Sequence, residues 1–270
     1  MIKYPDINPI AFRIGPLKVH WYGIMYLLGF AGAWGLARYR ASRPESTWKA
    51  VDVDDLIFYC MLGVILGGRI GYVLFYGMTF WTPQNPWYPI EVWDGGMSFH
   101  GGLLGVILAM TLFAWRRKRN AADVFDFTVP LPALGLFFGR IGNFINGELW
   151  GKPTTLPWGF LYHGVVRQPS QLYEAFFEGV VLFTTMWLFT AKPKPRLAAS
   201  GLFLLLYGTF RFLVEFVRLP DPQLGYLAWG WVTMGQVLSF PMIVIGAGLL
   251  IYAYQARKTS GNYLPAAAAH

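Results

Sequence analysis

Residues 232–256 read VTMGQVLSFPMIVIGAGLLIYAYQA and contain no Asp, Glu, Lys or Arg. A helix rises about 1.5 Å per residue, so about 20 apolar residues span the roughly 30 Å hydrocarbon core of a bilayer. This stretch has the length and composition of a membrane-spanning helix. Six other apolar runs of similar length precede it. The seven predicted runs cover residues 19–40, 54–77, 98–115, 123–146, 170–190, 200–218 and 232–256.

The composition agrees with this pattern, since 55% of the 270 residues are hydrophobic and 13% are charged. A soluble domain has roughly a quarter charged residues. A membrane β-barrel would show alternating segments of about ten residues, and the sequence has no such alternation. We therefore predict an all-α polytopic membrane protein with about seven transmembrane helices. The first run is full length and lacks a basic stretch directly before it, so we interpret it as a retained helix and not a cleavable signal peptide.

The distribution of Lys and Arg predicts the orientation. Four connecting segments, which must lie on one side, hold thirteen of the 22 basic residues, and the opposite segments hold six. Cytoplasmic loops are enriched in Lys and Arg, so the N-terminus is predicted outside and the C-terminus in the cytoplasm. This topology explains the net charge of +8 without a nucleic acid partner. The thirteen residues are Arg38, Arg40, Arg43, Lys49, Arg116, Arg117, Lys118, Arg119, Lys192, Lys194, Arg196, Arg257 and Lys258.

Residues 1–258 are predicted to form a single transmembrane domain. Its outer segments, residues 78–97, 147–169 and 219–231, are rich in Trp and Tyr, which favour the headgroup level. Residues 259–270 are polar and then alanine-rich, and we predict an unstructured or artificially appended tail. The single cysteine, Cys60, excludes an intramolecular disulfide and a multi-cysteine metal site.

Ionisable residues inside the apolar runs indicate a site. A central Arg costs roughly 2.5–3.5 kcal/mol to insert, so it must be compensated. Arg211 and Glu215 are spaced i, i+4 and can pair on one helix face, either as a packing clamp or as part of a site. Glu174 and Glu178 lie near the outer end of their run, so we expect an unbalanced cationic cluster. Such a cluster suits an anionic headgroup, because guanidinium donates bidentate hydrogen bonds to phosphate. The arginines are Arg69, Arg140 and Arg211.

Two polar stretches adjoin these residues. Residues 93–102, WDGGMSFHGG, place His100 in the first turn of the third helix, as a structural or a catalytic residue. Residues 139–151, GRIGNFINGELWG, place Arg140, Asn143 and Gly147 along one helix face, and Asn146 and Glu148 follow. Taken alone, this second set fits either a helix-end hydrogen-bond network or a binding site. Residues 68–71 repeat the GRIG sequence of 139–142, which we interpret as coincidence or a shared packing requirement.

These motifs together resemble the bacterial prolipoprotein diacylglyceryl transferase family over the chain up to about residue 256. The resemblance implies an enzyme of the bacterial inner membrane with its active site toward the periplasm. It implies transfer of the diacylglyceryl group of phosphatidylglycerol to the lipobox cysteine thiol of a preprolipoprotein, forming a thioether and releasing glycerol phosphate. The matching motifs are HWYGIMYLLGF from His20, LGGRIGYVLFY from Leu66, VWDGGMSFHGGLLG from Val92, GRIGNFINGELWG from Gly139, PSQLYE from Pro169, YGTFRFLVEFVRLPD from Tyr207 and TMGQ from Thr233.

The resemblance also implies site residues. The positions are Tyr22, His100, Arg140, Asn143, Glu148, Gly151, Tyr207, Arg211 and Glu215, and the residue pattern adds Asn146. His100 has the intrinsic range of a base for the substrate thiol. Arg140 and Arg211 are candidates for holding the phosphate, with Glu148 and Glu215 orienting the arginines. Asn143 and Tyr22 would bind headgroup or substrate backbone.

No cofactor or metal is expected. The predicted partners are phosphatidylglycerol, the preprolipoprotein signal peptide and membrane lipids. From the residues alone, two other interpretations stay open: a transporter or binder of an anionic solute or lipid, and a structural scaffold. A transporter predicts inverted repeats or matching interrupted helices, and the GRIG pair is in parallel orientation.

Overall fold

The computed structural model describes residues 2–15, 17–91, 95–220 and 225–264. The chain forms two compact units. The first comprises the chain up to Ala37 together with Asp126–Ser260, and the second comprises Arg38–Phe125 and the residues from Gly261 onward. Parts of the predicted outer segments and tail, at residues 92–94, 221–224 and 265–270, lie outside the described residues.

Each predicted apolar run contains helix. The second run continues beyond its α-helix through a π-helical turn, Val73–Gly77, and a 3₁₀ turn, Met78–Phe80. In the fifth run a π-helix, Ala175–Val181, joins two short α-helices. The α-helices are α1 (Trp21–Ala41), α2 (Ala50–Tyr72), α3 (Phe99–Arg116), α4 (Ala121–Thr128), α5 (Pro132–Ile145), α6 (Ser170–Glu174), α7 (Leu182–Phe189), α8 (Ala198–Val214) and α9 (Met234–Ala256).

Four helical segments among the described residues are long and apolar enough to cross a bilayer: Ala50–Phe80, Phe99–Arg116, Ser170–Phe189 and Met234–Ala256. The bent pair of α4 and α5 makes up to five. The prediction of a polytopic helical membrane protein is confirmed at this level. The count of seven stays a prediction, because α1 has 21 residues but lower mean hydropathy, and α8 is apolar but has 17 residues.

Apolar side chains project outward from the long helices. Leu66 is 57% exposed, Leu104 is 66% exposed and Ile251 is 59% exposed. Water would disfavour such surfaces on a helix face, whereas lipid tails solvate them. These faces therefore fit a bilayer environment.

The prediction of one helix over residues 123–146 is wrong. The run is divided into α4 and α5, which differ in direction by 44°. Pro130 cannot supply the N–H that a continuous helix needs, and it disfavours helical geometry at Val129. Pro132 then occupies the first turn of α5, where a missing N–H costs nothing.

The all-α prediction overlooked two small sheets that the described part of the chain contains. Strands β2 (Ile10–Ile14) and β3 (Leu17–His20) form an antiparallel pair. Strand β1 (Ile2–Lys3) pairs in parallel with β4 (Phe160–Tyr162), and β4 pairs antiparallel with β5 (Val165–Arg167). The β4–β5 turn has positive φ at His163 (48°) and Gly164 (80°), as a tight hairpin requires. Strands this short give no readable alternation in sequence.

In the second unit, α2 and α3 pack through glycines. A Cβ at Gly63 would lie 2.6 Å from the carbonyl oxygen of Gly105, and one at Gly71 would lie 2.8 Å from Cα of Gly101. The two backbones approach each other so closely that no larger residue fits. Gly71 is part of the first GRIG stretch, so a packing requirement explains it.

In the first unit, helices pack around a small apolar core. Ala133, Leu182, Met186 and Ala199 are buried there, with Leu136, Phe183, Leu202 and Phe203 packed against them. Helices α8 and α9 approach closely, since a Cβ at Gly246 would lie 2.8 Å from the carbonyl oxygen of Gly201. This packing holds α5, α7 and α8 against one another.

The prediction of an unstructured tail from residue 259 is wrong for residues 261–264. Trp48 Nε1 donates to Asn262 Oδ1 at 2.8 Å, and Asn262 Nδ2 donates to the carbonyl oxygen of Asp123 at 2.7 Å. Leu264 N donates to the carbonyl oxygen of Glu45 at 2.7 Å. A buried asparagine with both amide atoms bonded anchors the segment, although its polar composition favours disorder.

Candidate active site

A cluster of arginines and glutamates lies in the interior of the first unit. Its members come from neighbouring elements: α5, the α6–π-helix segment, and the C-terminal end of α8 with the residues that follow it. All six side chains are at most 19% exposed. The cluster consists of Arg140, Glu174, Glu178, Arg211, Glu215 and Arg218.

Glu174 lies at the centre of the cluster. Its Oε2 is 2.5 Å from Nε of Arg140, and its Oε1 accepts a hydrogen bond from Nη1 of Arg211 at 3.1 Å. Nε of Arg218 is 4.0 Å from the same Oε1. Only 1% of the Glu174 side chain is exposed. One buried carboxylate therefore holds arginines from α5 and α8 next to each other.

Glu215 holds the other side of Arg211. Nη2 of Arg211 is 2.5 Å from Glu215 Oε1, which confirms the predicted i, i+4 pair. Arg218 Nη1 donates to the same oxygen at 3.3 Å, and the Thr233 hydroxyl donates to Oε2 at 2.5 Å. A Cβ at Gly235 would lie 2.5 Å from Cδ of Glu215, so glycine there leaves room for the carboxylate.

Glu178 completes the cluster but is held differently. It lies in the π-helix four residues after Glu174, and its side chain is fully buried. Nη2 of Arg140 is 3.9 Å from its Oε2, and neither carboxylate oxygen has a hydrogen-bond partner among the described residues. π-helical turns occur often at functional sites.

The expected cationic cluster is not observed. Three arginines face three glutamates, so the cluster is neutral when all six are ionised. The prediction of a cationic cluster is wrong, because the position of Glu174 and Glu178 near the outer end of their run does not reveal which helix they face. They instead point inward toward α5 and α8, where burial of three unpaired guanidiniums would be far too costly.

The end of α5 carries a hydrogen-bonded polar network. Asn143 is buried; its Oδ1 accepts from Nη1 of Arg140 at 3.4 Å, and its Nδ2 donates to Glu148 Oε2 at 3.2 Å. Asn146 Nδ2 donates to Glu148 Oε1 at 3.3 Å. Glu148 therefore contacts the two asparagines, and the predicted orientation of an arginine by Glu148 is at most indirect, through Asn143.

The backbone after α5 turns Glu148 back onto the helix. Gly147 has φ of +69°, its N–H donates to Phe144 O at 3.1 Å, and Glu148 N donates to Asn143 O at 2.9 Å. This is a glycine-terminated helix end of the Schellman type. The Tyr4 hydroxyl donates its hydrogen in a shared bond to the carbonyls of Phe144 at 2.7 Å and Ile145 at 2.9 Å.

Two tyrosines adjoin the cluster. Gly142 leaves room for Tyr22, since a Cβ there would lie 2.8 Å from Cδ2 of Tyr22. The Tyr22 hydroxyl interacts electrostatically with Glu148 and Arg140, and the Tyr207 hydroxyl interacts with Glu178, Arg211 and Arg140. Neither tyrosine has a composition or charge signal, so only the resemblance could indicate them.

Gly151 has a packing role. Its N–H donates to Gln168 O at 2.9 Å, and it forms an antiparallel bridge with Arg218. A Cβ there would lie 2.7 Å from Val217 O and 2.8 Å from Gln168 O. The predicted substrate-binding role of Gly151 stays a prediction, and close backbone approach is sufficient reason for the glycine.

The sequence profile of a family described as prolipoprotein diacylglyceryl transferase matches residues 9–252. The chain belongs to the prolipoprotein diacylglyceryl transferase family. The resemblance found in its motifs is thereby confirmed.

Three curated relatives of this family are similar over nearly the whole chain, and each is named phosphatidylglycerol–prolipoprotein diacylglyceryl transferase. The relative from Coxiella burnetii (strain RSA 331 / Henzerling II) is 58% identical over 96% of this chain and 100% of its own. The relative from Oleidesulfovibrio alaskensis is 57% identical over 96% and 97%. The relative from Pseudomonas putida is 53% identical over 96% and 99%.

Two predicted residues of this family member lie in the second unit. His100 is exposed in the first turn of α3, whose N-terminus is capped by Ser98 Oγ, accepting from Gly101 N at 3.2 Å. Arg69 is buried, and its guanidinium donates to the carbonyls of Gly95 at 2.6 Å, Pro89 at 3.1 Å and Tyr88. Backbone carbonyls therefore compensate Arg69, which the sequence interpretation had grouped with the other arginines.

The sequence does not place Arg218, Glu174 and Glu178 beside Arg140 and Arg211, where the structure shows them in one buried cluster. Arg218 lies at the end of the sixth apolar run, directly before a predicted outer segment. Its i, i+3 spacing from Glu215 was the signal that could have revealed it. No spacing rule could have joined Glu174 to Arg140, because the two residues lie on different helices.

Proposed function

We propose that this chain transfers the diacylglyceryl group of phosphatidylglycerol to the lipobox cysteine thiol of a preprolipoprotein. The products are a thioether-linked lipoprotein precursor and glycerol phosphate. The names of the relatives support phosphatidylglycerol as the donor and a prolipoprotein as the acceptor. The observation that carries the proposal is the pair Arg140 and Arg211, held side by side by Glu174 in a buried site.

The chemistry requires stabilisation of a departing phosphate. The substrate thiolate attacks the carbon of the diacylated glycerol that bears the phosphate ester oxygen. A C–S bond forms, the C–O bond at this carbon breaks, and its electron pair leaves with the phosphate of glycerol phosphate. Guanidinium groups fixed in advance stabilise this charge without reorganising. Glu174 and Glu215 fix both arginines through charged contacts of 2.5–3.1 Å, so Arg140 and Arg211 are the proposed phosphate ligands.

Activation of the thiol is assigned to His100. A free thiol has pKa near 8.5 and is only a few per cent ionised at neutral pH, so a base or nearby cations increase the reactive fraction. His100 is exposed in the first turn of α3. Cys60 of the enzyme is buried in α2 and takes no part in thiol activation.

The substrates are proposed to contact further polar side chains near the arginines. These are Tyr22, Asn143, Asn146, Glu148 and Tyr207.

The membrane arrangement follows from the distribution of Lys and Arg. We propose seven crossings of the bacterial inner membrane, with the N-terminus periplasmic and the C-terminus cytoplasmic. The polar network at the end of α5 then lies toward the periplasm, where a lipobox cysteine emerges after translocation. Both substrates reach the site from within the bilayer.

The test uses purified protein in detergent micelles with phosphatidylglycerol and a synthetic lipobox peptide. Release of glycerol phosphate is measured with the peptide, without it, and with a peptide in which serine replaces the cysteine. We expect release only with the cysteine peptide, and its loss in Arg140→Ala. No release by folded wild-type protein would contradict the proposal and favour an anion transporter.

A further inference from the structure

The charge balance of the arginine–glutamate cluster conflicts with binding of an anion. Three arginines and three glutamates sum to zero when all are ionised. A phosphodiester headgroup would make this buried site net negative. Uncompensated buried charge is strongly unfavourable, so headgroup binding requires that one carboxylate lose its charge.

The three glutamates differ in what they would lose on protonation. Glu174 accepts a hydrogen bond from Arg211 at 3.1 Å and lies 2.5 Å from Arg140 Nε. Glu215 accepts hydrogen bonds from Arg218 and Thr233 and lies 2.5 Å from Arg211. Glu178 accepts no hydrogen bond within the described residues, and its ion pair with Arg140 is long, at 3.9 Å. Protonation of Glu178 therefore disrupts fewer hydrogen bonds and short ion pairs than protonation of Glu174 or Glu215.

We propose that Glu178 is the counter-ion of Arg140 before a phosphate headgroup binds, and that it takes up a proton from solvent when the headgroup binds. The headgroup then replaces the Glu178 carboxylate as the anion beside Nη2 of Arg140. This inference rests on the proposed function for the identity of the ligand. It assigns a positioning role to Glu178, which the family resemblance does not include among its site residues.

The groups that face Glu178 agree with this role. Arg140 approaches from α5, Arg211 and the Tyr207 hydroxyl from α8, Glu174 from α6 and Arg218 from the segment after α8. Among these, Glu174 is the only like charge, and both arginines that Glu174 holds stay paired when Glu178 becomes neutral. The contacts of Glu174 with Arg140 and Arg211 thus persist, while the net charge of the six-residue cluster rises by one.

The test measures equilibrium binding of fluorescently labelled phosphatidylglycerol in micelles as a function of pH, without peptide. Diacylglycerol with the same label is the uncharged probe. Uptake of one proton makes the wild-type Kd for phosphatidylglycerol rise with pH, by up to about tenfold per unit. Glu178→Gln mimics the neutral acid, so its Kd should be independent of pH and equal to the wild-type value at low pH.

Glu174→Gln is the matched variant with the same charge change. It replaces one of the two carboxylate oxygens that hold Arg140 and Arg211 by an amide donor, so one arginine loses its contact and phosphatidylglycerol binding should weaken at every pH. The melting temperature of each variant establishes that it is folded. Equal pH slopes for wild type and Glu178→Gln, or loss of binding in folded Glu178→Gln at all pH values, would overturn the proposal. A pH slope with diacylglycerol would also overturn it.

This result is separable from the transfer assay. Binding that responds to Glu178→Gln as expected, without glycerol phosphate release by the wild type, would refute the transferase activity and retain the proton-linked anion site. Release that persists with identical binding slopes would retain the transferase and refute the role of Glu178.

Discussion

Arg211 contacts two carboxylates through two different nitrogens, Nη1 to Glu174 at 3.1 Å and Nη2 to Glu215 at 2.5 Å. A lysine ammonium carries the same charge but cannot span both acceptors and also present a fork to phosphate. We therefore expect Arg211→Lys to reduce the initial rate of glycerol phosphate release by about 100-fold. Arg13→Lys, at an exposed position of β2, is the control and should keep the wild-type rate. Full activity of Arg211→Lys would refute bidentate phosphate holding.

Tyr4 supports the helix end that carries Arg140 and Asn143. Its hydroxyl donates to two carbonyls at the end of α5, and burial raises the pKa of this hydroxyl, so it remains a donor. Tyr4→Phe should destabilise the protein by about 1 kcal/mol, measured by thermal unfolding in detergent. Tyr173→Phe removes an exposed bond from Trp158 Nε1 and should have a smaller effect. Equal effects would contradict the role of Tyr4.

For individual side chains, the sequence predicts contacts only within one helix. The Arg211–Glu215 pair follows from i, i+4 spacing and is present. The pairing of Arg140 with Glu174 depends on how α5 lies against the α6–π-helix segment, which local spacing does not encode. The resemblance located Tyr22 and Tyr207, and the structure brings both next to the charged cluster.

Helices α2 and α3 depend on glycine at their contact. A Cβ at Gly63 would lie 2.6 Å from Gly105 O and 3.0 Å from Cβ of Ala109. Gly63→Leu should therefore destabilise the protein by about 2 kcal/mol or more, seen as a lower melting temperature in detergent. Gly248→Leu on α9 is the control, because a Cβ there meets nothing within 4 Å. A melting temperature unchanged in Gly63→Leu would mean that the two helices do not pack as described.

Long apolar runs make helices predictable, whereas short or irregular elements are not. Each of the seven runs contains helix because a segment in lipid must satisfy its own backbone hydrogen bonds. The parallel pairing of Ile2 with Phe160 joins distant parts of the chain through strands of two and three residues. The break at Pro130 was readable from the sequence, since proline disrupts a continuous helix.

For the whole molecule, the distribution of Lys and Arg predicts the side of each loop. We expect Lys18→Cys, in an otherwise Cys60→Ala chain, to react with a membrane-impermeant maleimide in intact spheroplasts. Lys192→Cys should react only after permeabilisation. Both side chains are exposed, so burial does not limit labelling. The opposite pattern would contradict the predicted orientation, and labelling of both from outside would contradict the odd number of crossings predicted between positions 18 and 192.

The most direct test of the central claim is the mass of the lipobox peptide after incubation with phosphatidylglycerol and purified protein. The account predicts a mass gain of one diacylglyceryl group on the cysteine with wild type and Arg13→Ala, and none with Arg140→Ala. An unmodified peptide with folded wild-type protein, or full modification by Arg140→Ala, would contradict it.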